Sequence, residues 1–339
     1  MSFVSKTEAS ELKFSVEPVI PENQKDTGHT YFDLNMTPKQ KQKLKVHMRN
    51  DTEKEVIVKP SVHAGTTNIN GVVEYGESNT KVDDTVQYNI EDIVKPTVDE
   101  VKIPAKGSND LELDIQMPEG KFKGILAGGI TLEEKEENKK EEKDKAQGLA
   151  IENKYAYVVA VVLHESDEKV ESELKLTEVK PGQVNARNVI NATIQNTQPK
   201  YMNQLSVNTK ITKKGKKDVL YSSKNEGMQM APKSSFSYPV SLNGEKLRPG
   251  KYTLDMYANS MKKEWHFVQD FEIKADVAKK LNETDVSVKK NDMWIYILIG
   301  VLFLLIIILI VILLKKKKRE KKEAERQMKK SKKRKVKHK

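Results

Sequence analysis

Apolar and polar residues alternate along much of the chain. In "LELDIQM", Leu111, Leu113, Ile115 and Met117 fall on one face; in "KLKVHM", Leu44, Val46 and Met48; in "FSYPVSL", Phe236, Tyr238, Val240 and Leu242. A period of two marks a strand with one face in a core and the other in water. "YAYVVAVVL" is apolar in both phases and predicts a strand covered on both sides. Gly, Pro and Asn clusters break these runs at short intervals, so the predicted class is all-β, built as sandwiches. The pattern changes at "MWIYILIGVLFLLIIILIVILL", Met293 to Leu314, which has no charged residue over 22 positions. As a helix it covers ~33 Å against a hydrocarbon thickness of ~30 Å, which predicts one membrane span. Trp294 and Tyr296 lie near its first end, where amphipathic rings favour the interface.

Charge sets the expected orientation. Leu314 is followed at once by Lys315, Lys316, Lys317 and Lys318. From Lys315 to Lys339 there are 16 basic and three acidic residues, a net +13, whereas residues 1–314 carry 44 basic and 46 acidic, a net −2. Positive residues beside a span stay cytoplasmic, so residues 315–339 are expected inside and the large N-terminal part outside. "KKSKKRKVKHK" has the composition of a nucleic-acid patch, but beside a span it reads as a stop-transfer anchor that also attracts anionic lipid. A net charge of −2 gives the outer part no footprint for nucleic acid. The opening "MSFVSKTEASELKF" has no apolar export segment, so a native precursor starting upstream is expected. The chain has no cysteine, which suits a bacterial surface without an outer membrane better than a disulfide-stapled animal ectodomain.

Landmarks recur in the same order in two halves. "TPKQKQKLKVHMRNDT" with Pro38, Gln40 and Asn50 matches "KPGQVNARNVINATIQNTQP" with Pro181, Gln183 and Asn196. "PAKGSNDLELDI" matches "APKSSFSYPVSL", and "PEGKFKGIL" matches "RPGKYTLDM". Two copies of one sandwich are expected. An aromatic entered from a Pro-Gly turn, Phe122 and Tyr252, resembles the tyrosine corner of immunoglobulin-like sandwiches and is expected to be structural. "EEKEENKKEEKDKAQG", residues 133–148, has no apolar face and reads as a charged insertion in the last hairpin of the first domain, or as a linker. The expected divisions are an N-terminal segment 1–11, a first sandwich 12–167, a second sandwich 168–275, a juxtamembrane linker 276–292, a transmembrane helix 293–314 and a basic tail 315–339.

No catalytic constellation is legible. The six histidines are scattered, HExxH, GxSxG and P-loop words are absent, and without cysteine a thiolate nucleophile or zinc–thiolate site is excluded. Neither enzyme activity nor a cofactor is expected.

Longer phrases carry a family resemblance. "FSVEPVIPENQKDTGHTYFDLNMTPKQKQKLKVHMRNDTEKEVIV", "TTNINGVVEY" and "FKGILAGGI" resemble the first domain of the WxL-interacting proteins of Gram-positive bacteria. "LKLTEVKPGQVNARNVINATIQNTQP", "MQMAPKSSFSYPVSL" and "LRPGKYTLDMYA" resemble their second. The resemblance covers roughly residues 12–318 and implies two immunoglobulin-like domains in tandem on one membrane anchor. It further implies peptidoglycan binding by the first domain, host extracellular-matrix or other ligand binding by the second, and association with WxL-domain surface proteins. The chain has no W-x-L word, so it looks like the interacting partner. Ligand sites are expected in loops at the ends of the sandwiches. "HAGTTNINGVVEYG" supplies Asn68, Asn70 and Tyr75, the last available to stack on a sugar ring; a plain hairpin turn explains the same composition. An alternative role is an assembly factor that holds a partner by strand addition at an exposed sheet edge.

Overall fold

The computed structural model describes residues 13–78, 83, 85–135, 155–288 and 293–336. The expected N-terminal segment 1–11 and residues 136–148 of the charged insertion lie outside the described residues. Residues 133 and 134 of that insertion extend a strand.

In chain order the first half contains β1 (Phe14–Val19), β2 (Phe32–Asn35), β3 (Lys41–Asn50), β4 (Val56–Ala64), β5 (Thr66–Thr67), β6 (Val73–Glu74), α1 (Ile90–Ile93), β7 (Val94–Pro96), β8 (Val101–Ile103), β9 (Ser108–Gln116), β10 (Ile125–Glu134) and β11 (Ala156–His164). One sheet runs β1-β3-β9-β7 and the other β2-β11-β10-β4-β8. The alternating residues Leu44, Val46 and Met48 of β3 and Leu111, Leu113 and Ile115 of β9 are buried against Val56 and Val58 of β4, Ile130 and Leu132 of β10, and Val161 and Leu163 of β11. A one-residue slip in any of these strands would turn its apolar set into water, so the pattern fixes the register.

β11 is covered on both sides only over its second half. Val161, Val162 and Leu163 are buried where β2 pairs with it in parallel (Val161↔Phe32 to His164↔Asn35). Tyr155 and Val158, before β2 begins, are 48% and 46% exposed. β2 pairs with β11 edge to edge and covers neither face, so Val158 on the outward face stays open to water.

The second half contains β12 (Leu174–Val184), β13 (Arg187–Asn196), β14 (Met202–Lys213), β15 (Val219–Met230), β16 (Ser235–Ser241), β17 (Gly250–Ser260), β18 (Lys263–Ile273) and α2 (Ala275–Thr284). Its sheets are β12-β13-β16 and β15-β14-β17-β18. Ile190, Ala192 and Ile194 with Phe236, Tyr238 and Val240 face Leu205, Val207 and Ile211 with Leu254 and Met256. This is the A-B-E and C′-C-F-G strand order of an immunoglobulin-type sandwich, and the first half has the same order, β1-β3-β9 and β8-β4-β10-β11, with added edge strands β7 and β2.

Two of the repeated landmarks superpose chemically. Asn50 and Asn196 are both 0% exposed. Asn50 Nδ2 donates to the carbonyls of Lys54 (2.7 Å) and Pro104 (3.1 Å), while its Oδ1 accepts from Thr52 N (2.8 Å). Asn196 Nδ2 donates to the carbonyls of Lys200 (2.8 Å) and Ala231 (2.9 Å), and its Oδ1 accepts from Gln198 N (3.2 Å). In each case one amide side chain closes its own turn and grips the Lys/Ser turn before the next strand. The Pro-x-Gln landmark does not superpose: Pro38 and Gln40 precede β3, whereas Pro181 and Gln183 lie inside β12. Tyr252 closes a tyrosine corner, its hydroxyl donating to the Arg248 carbonyl at 2.8 Å. Phe122 lacks a hydroxyl and is held instead through its backbone N–H, which donates to Glu165 Oε2 at 3.0 Å.

The expected linker from residue 276 begins as structure. α2 turns Ala278 and Leu281 toward the second core. Its polar side ties to neighbouring loops, with Asn282 Oδ1 accepting from Leu247 N and its Nδ2 donating to Leu247 O, both at 2.9 Å. Separately, α3 (Met293–Val336) is one continuous helix of 44 residues. It starts with the expected span, carries Trp294 and Tyr296 in its first turns, and runs on through Lys315–Lys318 into the expected tail. The side chains from Leu298 to Leu314 are exposed apolar surface.

Candidate functional site

The hairpin β5–β6 continues from the end of β4 and carries the three loop residues singled out above. Asn68 is consumed by its own turn. Its Oδ1 accepts from Asn70 N (2.9 Å) and Val72 N (3.1 Å), and its Nδ2 donates to Glu74. Asn70 is exposed at the tip between Ile69 and Val72, themselves 40% and 52% exposed. Tyr75 is half-buried, and its hydroxyl lies 2.6 Å from that of Tyr201 in the second sandwich. Burial pushes both phenols up.

The Tyr75–Tyr201 pair is one of several links that make this hairpin a clasp. Gln229 N donates to Gly71 O at 2.7 Å, Ala231 N donates to Thr67 Oγ1 at 3.0 Å, and Thr67 Oγ1 meets Ser234 Oγ at 2.6 Å. A second link lies at the start of β10, where Ile125 N donates to Pro199 O at 2.9 Å. Gly124 makes this approach possible: its φ is +74°, and a Cβ there would lie 2.2 Å from the Pro199 carbonyl oxygen. Of the three residues, only Asn70 is therefore placed to meet a large ligand without first opening the clasp.

The two sandwiches enclose a cleft of about 550 Å³ between β10, the α1 end of the first sandwich and the turns of the second. Ile125, Leu126 and Tyr88 give it an apolar wall, and Lys121, Lys233 and Glu171 give it charges of both signs.

A buried acid sits near the first-to-second sandwich crossing. The Asp33 side chain is 11% exposed and is held from both sides, with His164 Nε2 at 2.6 Å from Oδ1 and His29 Nδ1 at 3.2 Å from Oδ2. His29 stacks on Tyr31 with ring centroids 4.7 Å apart, and Lys25 pairs with Asp167 at 2.6 Å. Burial pushes the His164 imidazole below its ordinary value, outweighing the Asp33 carboxylate, which raises it. The folded state thus takes up a proton at His164 less readily than the unfolded chain does. The stability from neutral His164 is complete above ~6.5, the unfolded value, and is lost as pH falls from there through the folded value. Thermal unfolding should shift to lower temperature between pH 7 and pH 5, and His164→Gln should flatten that change; an unchanged slope in the variant would contradict the assignment.

Among the described residues no group of three or more His, Asp or Glu is arranged to hold a metal ion. Nothing local to Asp33 signals this cluster, because His164 lies 131 residues away.

Comparison with known proteins identifies the two halves. Residues 14–134 match the profile described as WxL Interacting Protein, peptidoglycan binding domain, and residues 146–283 match WxL Interacting Protein, host binding domain. The chain belongs to the WxL-interacting protein family. Both matched families are binding domains, and the chain is a surface-binding protein by that membership. No curated protein matches it. Solved structures with weak similarity include a chaperone–tip adhesin complex of CFA/I fimbriae (11% identity, TM-score 0.32, covering 78% of this chain and 99% of that one). The class 5 fimbriae chaperone CfaA matches at 14% identity and TM-score 0.29, covering 76% and 98%. The E. coli chaperone DraB matches at 14% identity and TM-score 0.28, covering 77% and 98%.

In this WxL-interacting protein the profiles and the strand pairing divide the chain differently. The second profile begins at residue 146, before β11, yet β11 completes the first sandwich by pairing antiparallel with β10 from Ile125↔His164 to Glu133↔Ala156. Within α3, residues Leu298–Glu323 form a helix long and apolar enough to cross a membrane.

Proposed function

We propose that this WxL-interacting protein is a single-pass membrane scaffold and adhesin of a Gram-positive cell surface. Its first sandwich binds peptidoglycan, its second binds a host extracellular-matrix or similar ligand, and the whole associates with WxL-domain surface proteins. The observation that carries the reading is the occurrence, in one chain, of both binding-domain matches and a helix of membrane-spanning length. The 16 basic and three acidic residues after Leu314 favour a cytoplasmic tail, with both sandwiches outside, within or beyond the wall. The working boundary between the two binding units is residue 168, after β11. Trp294 and Tyr296 on one side, and Leu314 with Lys315–Lys318 on the other, mark the two interfaces. Asn70 is the loop residue assigned to ligand contact, and Asn68 and Tyr75 support it. Protease added to intact protoplasts should remove both sandwiches and leave a membrane-protected fragment containing residues 315–339. Cleavage within that tail, with the sandwiches spared, would refute the orientation.

A second reading, assembly by strand addition, is favoured by one feature. β12, β15 and β18 are long strands at sheet edges. β12 has a register shift and contains Pro181, and β15 is broken by three register shifts. β18 pairs with β17 in unbroken register over 11 residues. Its regular register favours it as a template for an added strand over the stretch that does not run beside β12.

A further inference from the structure

The cleft between the sandwiches holds about 550 Å³, and sites for small ligands usually hold about 300–1,000 Å³. It is bounded by the start of β10, the approach to α1, the connecting residues 168–171, and the second-sandwich turns at 198–199 and 232–235. Tyr88, Ile125, Leu126 and Pro199 are only partly buried and give it apolar surface. Phe122 braces Tyr88 edge-on, with ring centroids 6.3 Å apart.

Charge around the cleft does not cancel. Its acids are all engaged. Glu168 pairs with Lys123 at 2.6 Å, and Glu171 with Lys263 at 3.0 Å. Asp83 accepts from Thr85 N at 2.9 Å and from the Gln195 and Ser235 side chains. The ammonium groups of Lys121 and Lys169, exposed at the rim, have no partner among the described residues. Lys263, hydrogen-bonded to Glu171, holds that carboxyl below its ordinary value, and Lys200 and Lys169 add to the effect, so three cations share one acid. The cleft thus joins apolar walls to surplus positive charge.

Such a site complements a slender ligand with an apolar body and carboxylates, because ammonium–carboxylate hydrogen bonds are of the strong, charge-assisted kind. A glycan strand continues in both directions and calls for an open groove. The stem peptide of a cell wall is instead a short branch with a free end. It carries free carboxylates, and its alanine methyls suit walls of Ile125, Leu126 and Pro199. We infer that the cleft is a stem-peptide site, which takes the peptide branch of peptidoglycan and places Lys121 and Lys169 on its carboxylates. The inference rests on the reading of the first sandwich as the wall-binding unit, and that sandwich supplies Tyr88, Lys121, Ile125 and Leu126. The β5–β6 hairpin that carries Asn70 leaves the cleft wall at Gly65 and Thr66. Four residues of chain, at most about 14 Å, therefore separate Asn70 from the cleft, so glycan at the hairpin and peptide in the cleft belong to one ligand.

The test is calorimetric titration of the full chain, in detergent micelles, with the synthetic stem pentapeptide L-alanyl-γ-D-glutamyl-L-lysyl-D-alanyl-D-alanine, either free or with both carboxylates amidated. Saturable binding of the free peptide is expected, with the amidated form about tenfold weaker or worse. The double variant Lys121→Gln, Lys169→Gln should also bind the free peptide about tenfold more weakly; both side chains are exposed, so the fold is kept. Lys95→Gln with Lys175→Gln, the same charge change at exposed positions outside the cleft, should alter binding less than about twofold. Undiminished binding by the cleft variant, or no binding of the free peptide, overturns the inference. A parallel arm sediments the chain with peptidoglycan before and after an amidase removes the stem peptides. Weaker sedimentation with the stripped wall is expected. Equal sedimentation with both sinks the cleft site and leaves wall binding standing, whereas no sedimentation with either removes both.

Discussion

Asn196→Ala should lower the stability of the second sandwich by about 3 kcal/mol, among the largest effects of any single polar substitution in the chain. The side chain is fully buried and serves three backbone groups, the carbonyls of Lys200 and Ala231 and the N–H of Gln198. Alanine leaves all three without their side-chain partner, and the Ala231 carbonyl among them is buried. Each buried orphan costs about 1 kcal/mol or more. Trp265, packed against the same core, reports the transition in urea. Asn50→Ala should act likewise in the first sandwich, where the amide serves Lys54, Pro104 and Thr52. Asn208→Ala, on the exposed sheet face, is the control and should change stability by less than about 0.5 kcal/mol. A loss below about 1 kcal/mol at both buried positions would show that these amides do not hold the turns together.

Gly124→Ala should open the link between the sandwiches while sparing both cores. The new Cβ would fall 2.2 Å from the Pro199 oxygen, which is backbone and cannot rotate away. A φ of +74° adds about 1–2 kcal/mol of strain for alanine. Relief requires Pro199 to withdraw, which breaks the Ile125 N–H bond to its carbonyl and loosens the Tyr75–Tyr201 contact nearby. Hydrogen exchange at the Ile125 and Ala231 amides should accelerate by roughly tenfold or more, as for a local opening that has become about 1.4 kcal/mol easier. Exchange at Leu113 and Ile194, deep in the two cores, should not change. Unchanged exchange at Ile125 would mean that the crossing does not depend on this glycine.

The strands were legible where local pattern decides them. Leu111 to Met117 and Phe236 to Leu242 alternate because each strand has one wet face, and that information is contained within a few residues. The repeated Asn turns were legible for the same reason, although only the structure shows that Asn50 and Asn196 do one job. The alternation could not report coverage of β11, because that depends on which distant residues pack over its outward face. The clasp was invisible for a different reason. Tyr75 and Tyr201 are 126 residues apart, and Thr67 and Ser234 are 167 apart, so an exposed-looking Asn-Gly hairpin carried no sign that another domain would cover part of it. The α2 helix is not legible locally, because only Ala278 and Leu281 among its residues pack on the core and its remaining ties are polar bonds to distant loops. The membrane segment was legible from composition alone, since an uncharged run of this length has few other solutions.

The most direct measurement of the central claim is sedimentation of the purified full chain, in detergent micelles, with insoluble peptidoglycan stripped of protein. The expected result is saturable co-sedimentation without any added partner, weakened by Asn70→Ala and unaffected by Asn208→Ala on the second sandwich. A chain that stays in the supernatant at saturating peptidoglycan, and sediments only when a WxL-domain protein is supplied, would contradict wall binding by the first sandwich and leave assembly through the partner as its route to the wall.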